Sequence, residues 1–134
     1  MSSDVEIILR ILLAAFLGAV MGYQRERAKK PAGLRTHILI SMGAALFTLI
    51  SIYGFEADSD PSRVAAGVVA GIGFLGAGVI FRSMRGDVVV GLTTAASVWI
   101  TAAIGMSSGV GMYFVAVTVT VISFFILLIP RAKG

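Results

Sequence analysis

Apolar residues along this chain run in blocks rather than in alternation. The first block covers about residues 5–23, interrupted by Glu6 and Arg10, and two more cover about 37–55 and 64–81. Each is close to the ~20 residues that a helix needs to cross a hydrocarbon core of ~30 Å. Polar residues collect between the blocks: a basic segment from Gln24 to His37, an acidic one from Glu56 to Arg63, and a basic one from Arg82 to Asp87. From Val88 to Pro130 no residue is charged, and a single helix of that length would measure about 65 Å, twice the bilayer core. The glycine-rich segment Gly105 to Gly111 is the natural break, which predicts a fourth span over 92–106 and a fifth over 112–129. The expected fold is therefore all-α, a polytopic membrane protein of five transmembrane helices in one domain covering residues 1–134. The chain ends soon after the last span, so no soluble C-terminal domain is expected.

Composition narrows the class further. The 134 residues are 57% hydrophobic and 13% charged, with no cysteine. That excludes a disulfide framework and thiolate metal sites. A net charge of +4 sits beside hydrophobic spans, so it reads as a topology determinant and a contact for anionic lipid rather than a nucleic-acid surface. With the N-terminus outside and the C-terminus in the cytoplasm, nine of the eleven Lys and Arg lie inside and five of the seven carboxylates lie outside.

The central stretch is Gly71 to Phe81, GIGFLGAGVIF, a helix that suits a bilayer because small residues let neighbouring helices approach closely. Its FLGA at 74–77 repeats Phe16 to Ala19, and at the same offset GLTT at 91–94 answers GLRT at 33–36. Residues 16–45 and 74–103 share ten identities in thirty positions. This predicts a parallel internal repeat of two helical hairpins, with the fifth helix left over for oligomer contacts or to carry a tail. A homo-oligomer is expected, with a dimer favoured. Gly18, Gly22, Gly67, Gly71, Gly73, Gly76 and Gly78 are the expected helix-packing positions.

Several polar residues carry two readings. Arg10, inside the first span, can pair with Glu6 one turn earlier and snorkel, or serve as a functional intramembrane charge. His37 has no second ligand at metal spacing and reads as an interfacial residue. Asp60-Pro61-Ser62 reads as the start of the third helix with Asp60 as N-cap and Arg63 one turn in; Glu56, Asp58 and Asp60 together also offer a loose divalent-cation site. If both GLxT segments start helices, their amides converge near Arg27, Arg35 and Arg85 and favour an anion; the alternative is that Thr36 and Thr94 only cap their helices. No catalytic constellation, metal cluster or cofactor motif is visible, so an enzyme is not expected.

RERAKKPAGLRTHILISMGAALFTLIS, DPSRVAAGVVAGIGFLGAGVIF and GLTTAASVWITAAIGMSSGVGMY closely resemble the membrane domain of the MgtC/SapB family over about residues 10–115. Its characteristic positions fall on Glu26, Arg35, Thr36, Asp60, Arg63, Gly71, Gly73, Gly76, Gly78, Gly91, Leu92, Thr93, Thr94 and Trp99. The chain departs from the family pattern at Gly67 and Ala70, where polar residues are common, and at Thr93, where some virulence-linked members carry Asn. The resemblance implies a bacterial inner-membrane protein linked to growth at low magnesium and survival in host cells, with the F-type ATP synthase as implied partner. A second expectation, from the repeat, is a transporter or channel for a small ion, Mg²⁺ or an anion. The absence of buried carboxylates weighs against a Mg²⁺ path, because a dehydrated divalent cation needs charged oxygen ligands.

Overall fold

The computed structural model describes residues 4–56, 58–83 and 91–130 of the chain. Five helices form and, among the described residues, no strand: α1 (Asp4–Arg27), α2 (Leu34–Tyr53), α3 (Ser62–Ser83), α4 (Leu92–Val110) and α5 (Tyr113–Leu127). By length and composition α1, α2 and residues 62–81 of α3 are long and apolar enough to cross a membrane, and α5 is a shorter apolar helix. Large apolar side chains face outward, Phe74 at 80% exposure and Phe114 at 83%. Such an exterior is what a bilayer solvates and water does not.

α2 and α4 form the centre of the bundle. Each touches α1 and α3, α5 lies against α4 and α1, and α1 and α3 do not meet. This arrangement is what two hairpins related by a pseudo-two-fold would give, and the repeat seen in the sequence has a spatial counterpart. A Cβ at Gly18 would stand 2.6 Å from the His37 carbonyl oxygen, and one at Gly76 would stand 3.6 Å from Ala95 Cβ. Both partners, like both glycines, are 58 positions apart.

Close backbone approach is concentrated around α2. Beyond the Gly18 contact, a Cβ at Gly22 would fall 2.7 Å from Leu34 Cα, and one at Gly109 would fall 2.9 Å from the Ala45 carbonyl. Gly105 presses on the Ser41 backbone. Ser41 is thus gripped between Gly18 of α1 and Gly105 of α4. Two apolar clusters complete the core: Leu17, Met21, Ile104 and Ala116 join α1, α4 and α5, and Ala44, Ile72, Val98 and Ala102 join α2, α3 and α4.

Three expectations are revised. The fourth helix continues beyond residue 106 to Val110, because Gly105 and Gly109 are packing positions on its α2 face rather than a break. The turn comes at Gly111, whose φ of 92° allows the Gly111 amide to bond the Ser108 carbonyl and the Met112 amide the Ser107 carbonyl, closing the helix in a Schellman motif. Thr36 does not cap α2; the N-caps of α2 and α4 are Gly33 and Gly91, without side-chain caps. Finally, the packing role expected of Gly67, Gly71, Gly73 and Gly78 is not realised within one chain, since nothing lies within 4 Å of a Cβ built at any of them. The cause is that α3 packs on α4 but stands off from α2, so that 6% of its span is buried, against 33% for α1 and 39% for α2.

Candidate functional site

Two polar clusters are built into the bundle, one at each end. At the end where α1 finishes and α2 and α4 begin, Arg25 turns inward from α1 with 3% exposure and donates from Nη2 to Thr94 Oγ1 at 2.8 Å. One turn along α4, the Ser97 hydroxyl lies 2.8 Å from the Thr94 carbonyl and 3.0 Å from His37 Nε2. The other ring nitrogen, Nδ1, lies 2.9 Å from the Gly33 carbonyl. A carbonyl can only accept, so Nδ1 carries a proton and donates. Ser97 has one hydroxyl proton and two acceptors in reach. Arg25, Thr94, Ser97, His37 and Gly33 therefore line one polar row across α1, α4 and α2, in which the single Ser97 proton serves either the Thr94 carbonyl or His37 Nε2.

The sequence reading placed His37 at an interface with the surroundings; it is instead fully buried between α2 and α4. The i,i+4 row that buries Ser41 and Ala45 on α2 carries His37 on the same face, and that periodicity was the signal for it. The GLxT segments point to Arg27, Arg35 and Arg85, whereas the buried arginine at this end is Arg25. Four more basic residues follow it by Arg35, and only the helical phase of α1, in which Gly18, Met21, Gly22 and Arg25 share the buried face, distinguishes it.

The remaining candidates are dispersed. Glu26 Oε1 accepts the Leu34 amide at 2.8 Å, so a carboxylate from α1 supplies the cap that α2 lacks and meets the positive end of its dipole. Arg27 folds back on Tyr23, with Nη1 2.7 Å from its hydroxyl and the guanidinium carbon 5.7 Å from the ring centre. It does not join a convergence of arginines. Arg35, Thr36, Thr93 and Trp99 are exposed, and Arg85 lies outside the described residues. Asp60 Oδ1 accepts the Ser62 amide at 3.0 Å and the Ser62 hydroxyl at 2.7 Å. These bonds, the hydroxyl one first, hold its carboxyl below the ordinary range. Arg63 makes no ion pair with a described carboxylate, and no described group of His, Asp or Glu could hold a metal ion.

At the opposite end Arg10 is the organising residue. Nη1 donates to the Gly109 carbonyl at 2.8 Å, Nη2 to Glu6 Oε2 at 2.7 Å, and Nε to the Tyr113 hydroxyl at 3.1 Å. Ser108 returns a bond to the Arg10 carbonyl at 2.7 Å. Arg10 thus ties α1 to the end of α4 and the start of α5; the expected pair with Glu6 is present, but the guanidinium is buried among the helices rather than snorkelling outward. Gln24 acts similarly, donating to the Leu127 carbonyl in the last turn of α5 at 3.1 Å.

An all-α membrane bundle whose buried charges are spent on tying helices together is the class that this geometry defines. The MgtC family profile matches residues 11–132, and the chain belongs to that family. It is 48% identical over 129 residues to the YhiD protein of Escherichia coli K12, covering 91% of this chain and 59% of that one. It is 46% identical over 115 residues to protein MgtC of Salmonella typhimurium LT2, covering 86% and 48%, and 38% identical over 117 residues to protein SapB of Bacillus subtilis, covering 82% and 50%. The chain spans about half to three fifths of the length of these relatives. No solved structure matches it.

Proposed function

We propose that this protein is a non-enzymatic regulator in the bacterial inner membrane, with its N-terminus outside and C-terminus in the cytoplasm, acting by binding another membrane protein through helix surfaces. The F-type ATP synthase is the partner that family resemblance implies, in the setting of low magnesium and survival in host cells. The observation that carries the reading is the closed interior. Ser41 is gripped between Gly18 and Gly105, with a would-be Gly18 Cβ only 2.8 Å from Ser41 Cβ, so the α1, α2 and α4 core leaves no passage at that level. Arg10 and Thr94, which would flank such a passage, are already engaged in interhelical bonds.

The competing reading is a small-ion transporter, favoured by the name of the YhiD relative, a candidate magnesium transporter. Purified protein in liposomes decides between them. We expect neither Mg²⁺ nor phosphate flux above that of empty liposomes, and recovery of ATP synthase subunits by crosslinking in membranes. Flux of either ion above that of empty liposomes would overturn the regulator reading.

A further inference from the structure

Where α3 stands off from α2 a groove of about 640 Å³ runs between them. No polar side chain lines it; Leu39, Gly43 and Phe47 come from α2 and Gly67, Gly71 and Leu75 from α3. Glycines open it: no atom lies within 4 Å of a Cβ built at Gly43, Gly67 or Gly71. Both walls are helices of membrane-crossing length, so the medium around the groove is acyl chain rather than water. From Leu39 to Phe47 the α2 wall rises about 12 Å, close to the ~15 Å thickness of one leaflet's hydrocarbon.

The charge at one mouth selects the occupant. Arg35 precedes Leu39 by one helical turn, in the same i,i+4 row that continues through Gly43 and Phe47. It is exposed and makes no ion pair with a described carboxylate. A guanidinium at the end of an apolar slot of one-leaflet length matches an acyl chain below an anionic headgroup, since a phosphate accepts the fork of two N–H donors. A second copy of the chain fits less well. A two-fold contact across this groove would bring both Arg35 side chains to the same end, setting like charges together.

We propose that the α2–α3 groove binds one acyl chain of an anionic phospholipid, with Arg35 on the headgroup phosphate. The test is native mass spectrometry of the full chain released from micelles with phosphatidylglycerol or phosphatidylcholine of identical acyl chains. Wild type should retain a single phosphatidylglycerol in preference to phosphatidylcholine, and Arg35→Gln should reduce that preference about fivefold. Gly67→Leu, whose side chain has open space to fill, should expel both lipids while keeping the wild-type melting temperature. Should Gly67→Leu unfold the protein, Arg35→Gln decides alone, because it alters only an exposed side chain. Equal retention of the two lipids by wild type would overturn the proposal, as would unchanged selectivity in Arg35→Gln. Loss of a dimer in Gly67→Leu with lipid retention intact would assign the groove to a second copy instead and overturn it equally.

Discussion

Arg10 Nη1 donates to the carbonyl of Gly109 at 2.8 Å, joining positions 99 residues apart. That carbonyl is one of the last in α4, where helix carbonyls have no amide partner and the dipole is negative. Arg10 is therefore a C-cap delivered from another helix. Arg10→Met should lower stability by about 2–3 kcal/mol, the usual loss for a hydrogen bond to a charged group with its acceptor left buried. Arg10→Lys should recover only part, since an ammonium cannot serve Gly109, Glu6 and Tyr113 with one planar fork. Reversible unfolding in mixed micelles, followed by circular dichroism, measures both; a neutral Arg10→Met would show that the cap carries no stability.

Glycines on α1 and α4 should behave differently from those on α3. Gly18→Ala puts a methyl 2.6 Å from the His37 carbonyl, and Gly105→Ala puts one against the Ser41 backbone. Each should cost about 1–3 kcal/mol by overpacking. Gly78→Ala adds a methyl in open space and should be neutral or slightly stabilising through its better helix propensity. The same micelle assay ranks the three, and equal effects would mean that the α3 face is as tightly packed as the α1–α2 seam.

The bond between Arg25 and Thr94 is measurable by a double-mutant cycle. Thr94→Val keeps the shape and removes the acceptor, while Arg25→Met removes the donor. A coupling energy of about 1–3 kcal/mol is expected for a buried bond to a charged donor. Additive effects would place the stabilising role of Arg25 elsewhere.

Asp60 gives the pH dependence. Its carboxyl, held below the ordinary range chiefly by the Ser62 hydroxyl and then by the Ser62 amide, binds its proton less tightly in the folded chain than in the unfolded one. Its contribution is therefore complete above the unfolded carboxylate range and is lost as pH falls through the folded value. Stability of wild type should fall across that acid interval, and Asp60→Asn should flatten the profile while retaining much of the cap. Mg²⁺ should shift wild type and Asp60→Asn equally; a Mg²⁺ shift that only wild type shows would make Asp60 a cation ligand.

Topology is tested with single cysteines at exposed loop positions. Ser59→Cys should react with a membrane-impermeant thiol reagent added to intact cells, and Lys29→Cys should not. The reverse pattern would invert the orientation. Ser108 is a poor reporter, because its hydroxyl is buried against the Arg10 carbonyl.

Helix number, approximate boundaries and the repeat were legible in the amino-acid sequence because each is a local or periodic property. Apolar runs set span length, and two tetrapeptides at one offset announced that Gly18 and Gly76 would meet equivalent partners. Which glycines touch anything was not legible. Gly18, Gly22, Gly105 and Gly109 are pressed against α2, whereas Gly67, Gly71, Gly73 and Gly78 are open, and the two sets look alike as letters. The difference lies in how far α3 stands from α2, a distance between helices that no local pattern encodes. The same holds for the polar residues. His37 at the mouth of a span is an interfacial residue by position and a buried one by rotation, because Ser97, sixty residues away, arrives with α4 to receive it. Composition made this chain a membrane protein and periodicity made it five helices. The tertiary structure alone decided that its buried arginines act as helix clamps, since a clamp exists only once the carbonyl or hydroxyl it reaches has been brought alongside by another helix.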